Sequence, residues 1–168
     1  MQNKVIQTRV NGSVDFYRTW KEYKVGFGSP FGEYWLGNDN INFISTNGQH
    51  ELSIYTEKPD GTHRWGNYSV FRVANEMSNY RLTVTGYTGD ASVDALDKAN
   101  DQAFTTKDRD NDAQPNGNCA IDYTSAWWYA HCFDVELNIP FSGRSGQMLW
   151  RAFGQDISKS IIIMIRRT

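Results

Sequence analysis

The residues best suited to chemistry lie between Lys107 and Cys132. Asp108, Asp110 and Asp112 alternate there, and Pro115 and Gly117 follow them. Carboxylates at that spacing, with backbone carbonyls freed by a proline and a glycine, suit one hard cation that takes about six to eight oxygen ligands. Calcium is the first hypothesis. The glycine after the third aspartate and the closing glutamate of a helix-loop-helix calcium loop are missing, so that motif is excluded. An Asx-rich surface turn with solvated charges accounts equally well for the spacing, and both readings stay open at this point.

Cys119 and Cys132 are the two cysteines of the chain, and they bracket the aromatic run Ala126 to Tyr129, AWWY. A bridge closing a loop of this length would stabilise by about 3 kcal/mol. Two buried free thiols fit the count as well. Catalysis has little support. The three histidines, His50, His63 and His131, form no metal-ligand pair. There is no G-x-S-x-G elbow and no phosphate loop, and the aspartates sit too close together in a polar loop to act as a poised acid–base pair.

The elements that must position this stretch are read from composition and periodicity. A chain of 168 residues makes one domain with a real core. Aromatics at 14% and 14 glycines point to a loop-rich recognition domain rather than a helical bundle. The net charge of −2 gives no general pull toward nucleic acid or an anionic membrane. The longest apolar run, Ile161 to Ile165, has the length of a strand and not of a membrane span. Lys4 to Val10 reads as a strand. Ser13 is positioned to cap a helix running to about Val25, with Phe16, Trp20 and Tyr23 on its core face and Gly26 and Gly28 ending it. Trp35 and Leu36 are expected to open a second short helix that continues from Asn38 to Ile44. Glu51 to Thr56, Tyr68 to Val73 and Tyr80 to Tyr87 form a meander, which Ile161 to Arg166 joins as the last strand. Between them, residues 89 to 146 are mostly loop, and a loop region that long needs a staple.

Four separated motifs then resemble one family. Asn11 to Trp20 (NGSVDFYRTW), Gly32 to Asp39 (GEYWLGND), Thr106 to Asp112 (TKDRDND) and Gly117 to Ala120 (GNCA) with AWWY resemble, in that order, the fibrinogen C-terminal-like domain and its lectin members such as ficolins and tachylectins. The resemblance runs from about Val5 to Cys132 and then thins to Leu149, Trp150 and the last strand. It implies an α+β fold in which a mixed, mainly antiparallel sheet is flanked by short helices and followed by a long loop-rich calcium-binding C-terminal region. One domain, 1–168, would divide into helices and central sheet (1–88), a calcium and ligand region (89–160) and a terminal strand (161–168). A subdomain with its own disulfide precedes this point in the family. Without it, the first strand is expected to expose an edge, to depend on residues outside this chain or to pair with a partner chain.

The resemblance also implies sites. A Ca2+ ion would be held by Asp110 and Asp112 and by the carbonyls of Pro115 and Gly117, although the run from Asp112 to Cys119 is one residue longer than the family pattern. Cys119 and Cys132 would be bridged. A pocket for acetyl groups would lie alongside, with an amide presented by a cis peptide at His131–Cys132 and a wall at Tyr123. Phe133 stands where lectin members often have histidine and can stack on a methyl group. Arg144 can meet an anionic ligand. The function implied is a secreted, calcium-dependent lectin-like domain that binds acetylated or anionic glycans, with innate immune recognition as its setting. The alternative is a protein–protein module of fibrinogen type with a degenerate sugar pocket. Its partners would be glycans or other protein chains, and oligomers would form through regions outside this chain. No nucleic-acid partner and no enzymatic activity are expected. Two sequons, at Asn11 and Asn67, lean toward export.

Overall fold

The computed structural model describes residues 3–91, 93–140, 148–151 and 153–166. Its main sheet contains, in chain order, β1 (Asn3–Arg9), β2 (Phe27–Gly28), β3 (Tyr34–Trp35), β4 (His50–Glu57), β5 (His63–Val73), β6 (Leu82–Gly89) and β10 (Lys159–Arg166). Among the described residues these seven strands lie in the order β2-β3-β1-β10-β4-β5-β6, antiparallel throughout. A second sheet of three short strands is made by β7 (Val135–Glu136), β8 (Met148–Trp150) and β9 (Gly154–Ile157). Among the described residues three short α-helices complete the fold: α1 (Trp20–Val25), α2 (Asn38–Ser45) and α3 (Cys119–Asp122). No helix among the described residues is long and apolar enough to cross a membrane.

The β4–β5 hairpin follows the turn residues of the sequence. Asp60 accepts the Thr62 amide at 2.8 Å, and Gly61 takes φ +84°, a conformation open to glycine. The last strand returns to the middle of the sheet and pairs with β1 on one side and β4 on the other. β1 is therefore no edge. β3 covers its other side through Gln7 and Thr8, and the expectation of an exposed first strand is corrected.

Two helix expectations are corrected as well. The first helix starts at Trp20 and not after Ser13, because the intervening amides are taken elsewhere. The Glu33 carboxylate accepts the N–H group of Val14, Asp15 that of Tyr17 and the Phe16 carbonyl that of Arg18, while Glu33 also holds the preceding turn through the amides of Val10, Asn11 and Gly12. Thr19 then opens α1 through a capping box: its hydroxyl accepts the Glu22 amide, and Glu22 accepts the Thr19 amide. Trp35 and Leu36 do not begin a helix. Trp35 belongs to β3, the Leu36 amide donates to the Ile6 carbonyl, and α2 opens only after Gly37 at φ +101°. Only glycine fits there, since a Cβ would lie 2.7 Å from the Val25 carbonyl.

The core joins the halves of the chain. Phe104 sits among Tyr23, Trp35 and Trp128 with ring centroids 5.1, 6.0 and 5.1 Å away, and Trp128 donates its indole N–H to the Tyr80 carbonyl. Each such ring contributes roughly 1.5–3 kcal/mol by leaving water. Phe16, Trp20 and Tyr23 are all buried, Trp20 and Tyr23 on the core face of α1 and Phe16 from the stretch before it.

Candidate functional site

From Thr105 to Phe133 the chain has almost no ladder, and side chains hold its shape. Asn111 donates to the Phe104 carbonyl and Asn118 to that of Thr106. Asn118 also caps α3, accepting the amides of Ala120 and Ile121. Asp108 turns away from its two neighbours. Its carboxylate accepts the Trp20 amide and the Thr106 hydroxyl, both at 2.8 Å, and so ties the loop to the first turn of α1.

Asp110 and Asp112 face a different task. An Asp110 oxygen accepts the Asp112 amide at 3.2 Å, while the two Asp112 oxygens accept the amides of Gln114 and Cys119, each at 2.8 Å. Burial holds the Asp112 carboxyl above the usual aspartate range, and the Asp110 charge adds to the shift. The carbonyls of Pro115 and Gly117 accept no hydrogen bond among the described residues. A Cβ at Gly117 would meet the Gln114 side-chain amide at 1.9 Å, so a larger residue there would displace that side chain. No group of three or more His, Cys, Asp or Glu side chains suited to a metal occurs among the described residues. An ion here would depend on two carboxylates and on backbone oxygen. That donor set is hard and suits calcium or magnesium rather than zinc.

Cys119 and Cys132 form a disulfide with Cα atoms 5.4 Å apart. Beyond it the rings of Tyr123 and Phe133 meet edge to face at 4.7 Å, and the buried Tyr129 lies 6.0 Å from Phe133. Tyr123 and Phe133 stay partly exposed, and His131 is exposed at the tip of the loop. The expected cis peptide at His131–Cys132 is not found, since no peptide among the described residues is cis. The reversal is made instead by Cys132 at φ +59°, with the Ala130 amide donating to the Cys132 carbonyl at 3.1 Å. A left-handed residue turns the chain there without a rotated peptide bond. Arg144 lies outside the described residues.

The sheet anchors this region through residues with no chemical signature in the sequence. Arg9 on β1 donates to the carbonyls of Leu137 and Ile139, and Gln7 to that of Leu137. Arg9 also stands 3.6 Å from Glu33 and stacks on Phe16. Arg9 carries no motif, and Glu33 sits within GEYWLGND without a local signal for its partners. The Asn118 cap did carry one, an asparagine just before a short apolar turn.

Residues 3–154 match the family described as fibrinogen beta and gamma chains, C-terminal globular domain. The chain belongs to the fibrinogen C-terminal domain family. The fibrinogen-related chain is 40% identical to Ryncolin-4 of Cerberus rynchops over 134 residues, which is 80% of this chain and 39% of that protein. It thus spans well under half the length of this curated relative. The fibrinogen-like globe domain of human ANGPTL6 superimposes with a TM-score of 0.92 at 37% identity, over 98% of this chain and 78% of that one. Lamprey fibrin D-dimer, solved with the peptide ligand Gly-His-Arg-Pro-amide, superimposes with a TM-score of 0.87 at 28% identity, over 96% and 60%. The fibrinogen-related fold is thus the mostly antiparallel α+β architecture expected from the sequence, and domains of this family are not enzymes.

Proposed function

We propose that this fibrinogen-related domain is a secreted recognition module of lectin type, stabilised by calcium at Asp110 and Asp112, that binds acetylated or anionic glycans beside the Cys119–Cys132 loop. Innate immune pattern recognition is the role that suits such a module. One observation carries the reading: Cys119 links both halves of the site. Its amide is held by Asp112, its carbonyl accepts the Tyr123 amide, and its sulfur reaches Cys132, next to Phe133. Calcium would supply charge neutralisation between the paired aspartates and fix the loop. The chain's own Tyr123 and Phe133 would give a partly exposed aromatic wall for a methyl or acetyl group. The disulfide supports an oxidising compartment.

A second reading is favoured by the lamprey fibrin structure with its peptide ligand. In it the same surface receives a chain terminus or another protein, and oligomers form through regions outside this chain. A glycan array with N-acetylated sugars, probed with calcium present, decides between them. Binding is expected, and a blank array favours the protein-binding reading. Calcium is tested separately. At about a hundredfold excess over its dissociation constant it should stabilise by about 2.7 kcal/mol, raising the melting temperature, and Asp110→Asn with Asp112→Asn should remove that rise. Tyr123→Ala should keep the calcium response and weaken glycan binding by roughly 1–3 kcal/mol. Unchanged glycan affinity in that variant would move the pocket elsewhere.

A further inference from the structure

β4 and β5 part company at one end. Their register stops at Leu52 opposite Tyr68, so His50 and Glu51 leave the ladder while β5 continues to Val73. The end of β5 bonds to α2 instead: the Val73 amide donates to the Ser45 hydroxyl at 3.0 Å, and Asn42 donates to the Val73 carbonyl at 2.8 Å. The splay opens a cavity of about 360 Å³ lined by Ser45, Gly48, Gln49, His50 and residues 69–72. A second hollow of about 390 Å³ lies beyond Arg72, which lines both. Among the described residues no carboxylate lines either one.

Two guanidinium groups reach this end of the sheet. Arg72 forms the wall between the hollows. Arg166 pairs across from His50, and its guanidinium lies over Gly48, 3.6 Å from where a Cβ would stand. The other described arginines, Arg9, Arg18, Arg64, Arg81, Arg109 and Arg151, each have a carboxylate or carbonyl partner. Arg72 and Arg166 have neither an ion-pair nor a hydrogen-bond partner among the described residues. In a chain of net charge −2, two unpaired arginines beside an acid-free cavity mark a local field that the overall charge hides. Each guanidinium offers a planar fork that fits two oxygens of a tetrahedral anion. Gln49 and Ser69 add neutral donors on the lining.

We infer that the cleft between the end of α2 and β5 binds a tetrahedral oxyanion ester, a sulfate or phosphate carried on a sugar-sized group. The cavity is wider than the anion alone and leaves room for the ring that bears it. The site shares no residue with the disulfide loop and needs no calcium.

The test titrates the intact domain with inorganic sulfate and inorganic phosphate at constant ionic strength, with chloride as the control, following the backbone amides by NMR. Saturable shifts at Gly48, Gln49 and Val70 are expected, with Asp112 and Cys119 unmoved. Shifts that chloride reproduces, or that never saturate, overturn the site whatever the variants do. Arg72→Gln with Arg166→Gln should weaken the anion by at least about tenfold, the scale for losing a charge-assisted pair. Arg72→Lys, which keeps the charge and loses the fork, should weaken it by a few fold. Parent-like affinity in a double variant that melts with the parent also overturns the proposal. Glucosamine 6-sulfate and glucose 6-phosphate then separate the two sources, because the cognate ester should bind more tightly than its inorganic ion. If neither does, the cleft reads the bare anion and the ester assignment falls.

Discussion

The sheet half of the molecule, residues 3 to 89, and the loop region after it satisfy their backbones in opposite ways. In the first, ladders pair one strand with the next over as many as eight residue pairs, as between β10 and β4. In the second, single side chains do the same work: Asn111 for Phe104, Asn118 for Thr106 and the α3 amides, Asn138 for Ala126, Asp112 for Cys119. A ladder spreads the loss of any one contact over many neighbours. An anchor does not, so the loop region should fail locally and by named residues.

The largest expected effect comes from the anchor that spans both regions. Trp128 is buried against Trp35 and Phe104 and donates to the Tyr80 carbonyl. Trp128→Ala should cost about 3–5 kcal/mol in a denaturant titration, because it leaves a cavity and a buried carbonyl without its donor. Hydrogen exchange should show the amides between Thr105 and Cys132 losing protection before those of β4 and β5. Equal loss in both would mean that the two regions open as one. The disulfide comes next. Replacing Cys119 and Cys132 together by serine should cost about 3 kcal/mol, with the far-ultraviolet spectrum of the sheet retained. A loss under about 1 kcal/mol would show that the side-chain anchors suffice to hold the loop.

The same contrast explains what could be read in advance. Strand periodicity located β4, β5, β6 and β10, and the aromatic spacing placed Phe16, Trp20 and Tyr23 in the core. Both are local patterns with a fixed repeat. The helix start at Trp20 is not legible locally because Glu33, fourteen residues after Thr19, takes the Val14 amide, and Asp15 takes that of Tyr17. Nothing near Ser13 announces that. The pairing of β1 with β3 and β10 was hidden for the same reason, since its partners are distant in sequence. In the loop, the types and spacing of Asp110, Asp112, Cys119 and Cys132 stood out, while the turn at Cys132 did not. A left-handed cysteine is set by its surroundings and leaves no local trace.

Two buried glutamates around Arg9 carry the comparison to its finest scale. Glu33 accepts four backbone amides, which outweigh its burial and hold its carboxyl below the usual range. Glu136, in the small sheet, accepts only the Ser125 hydroxyl and the Asn138 amide, and its other oxygen is buried without a hydrogen bond. Burial raises its pKa to about 7, and the pull of Tyr129, Asn138, Ser125 and Arg9 in the other direction does not overcome it. The folded protein therefore binds this proton more tightly than the unfolded chain, whose glutamate titrates near an ordinary value of about 4.3. The resulting stability is fully present below that value and is lost as pH rises toward the folded value, so unfolding free energy should fall by on the order of 2 kcal/mol between pH 5 and pH 8. Glu136→Gln keeps the shape, removes the proton and should flatten that slope. Glu33→Gln acts with the opposite sign. It removes a carboxylate whose folded value is depressed, so the stability that Glu33 adds above its unfolded value, and loses as pH falls through the folded one, should disappear. If Glu136→Gln kept the parent's slope between pH 5 and pH 8, where Glu33→Gln should leave it unchanged, the titration in that window would belong to some other group, and Glu136 would be no more exposed to pH than the ladder strands beside it.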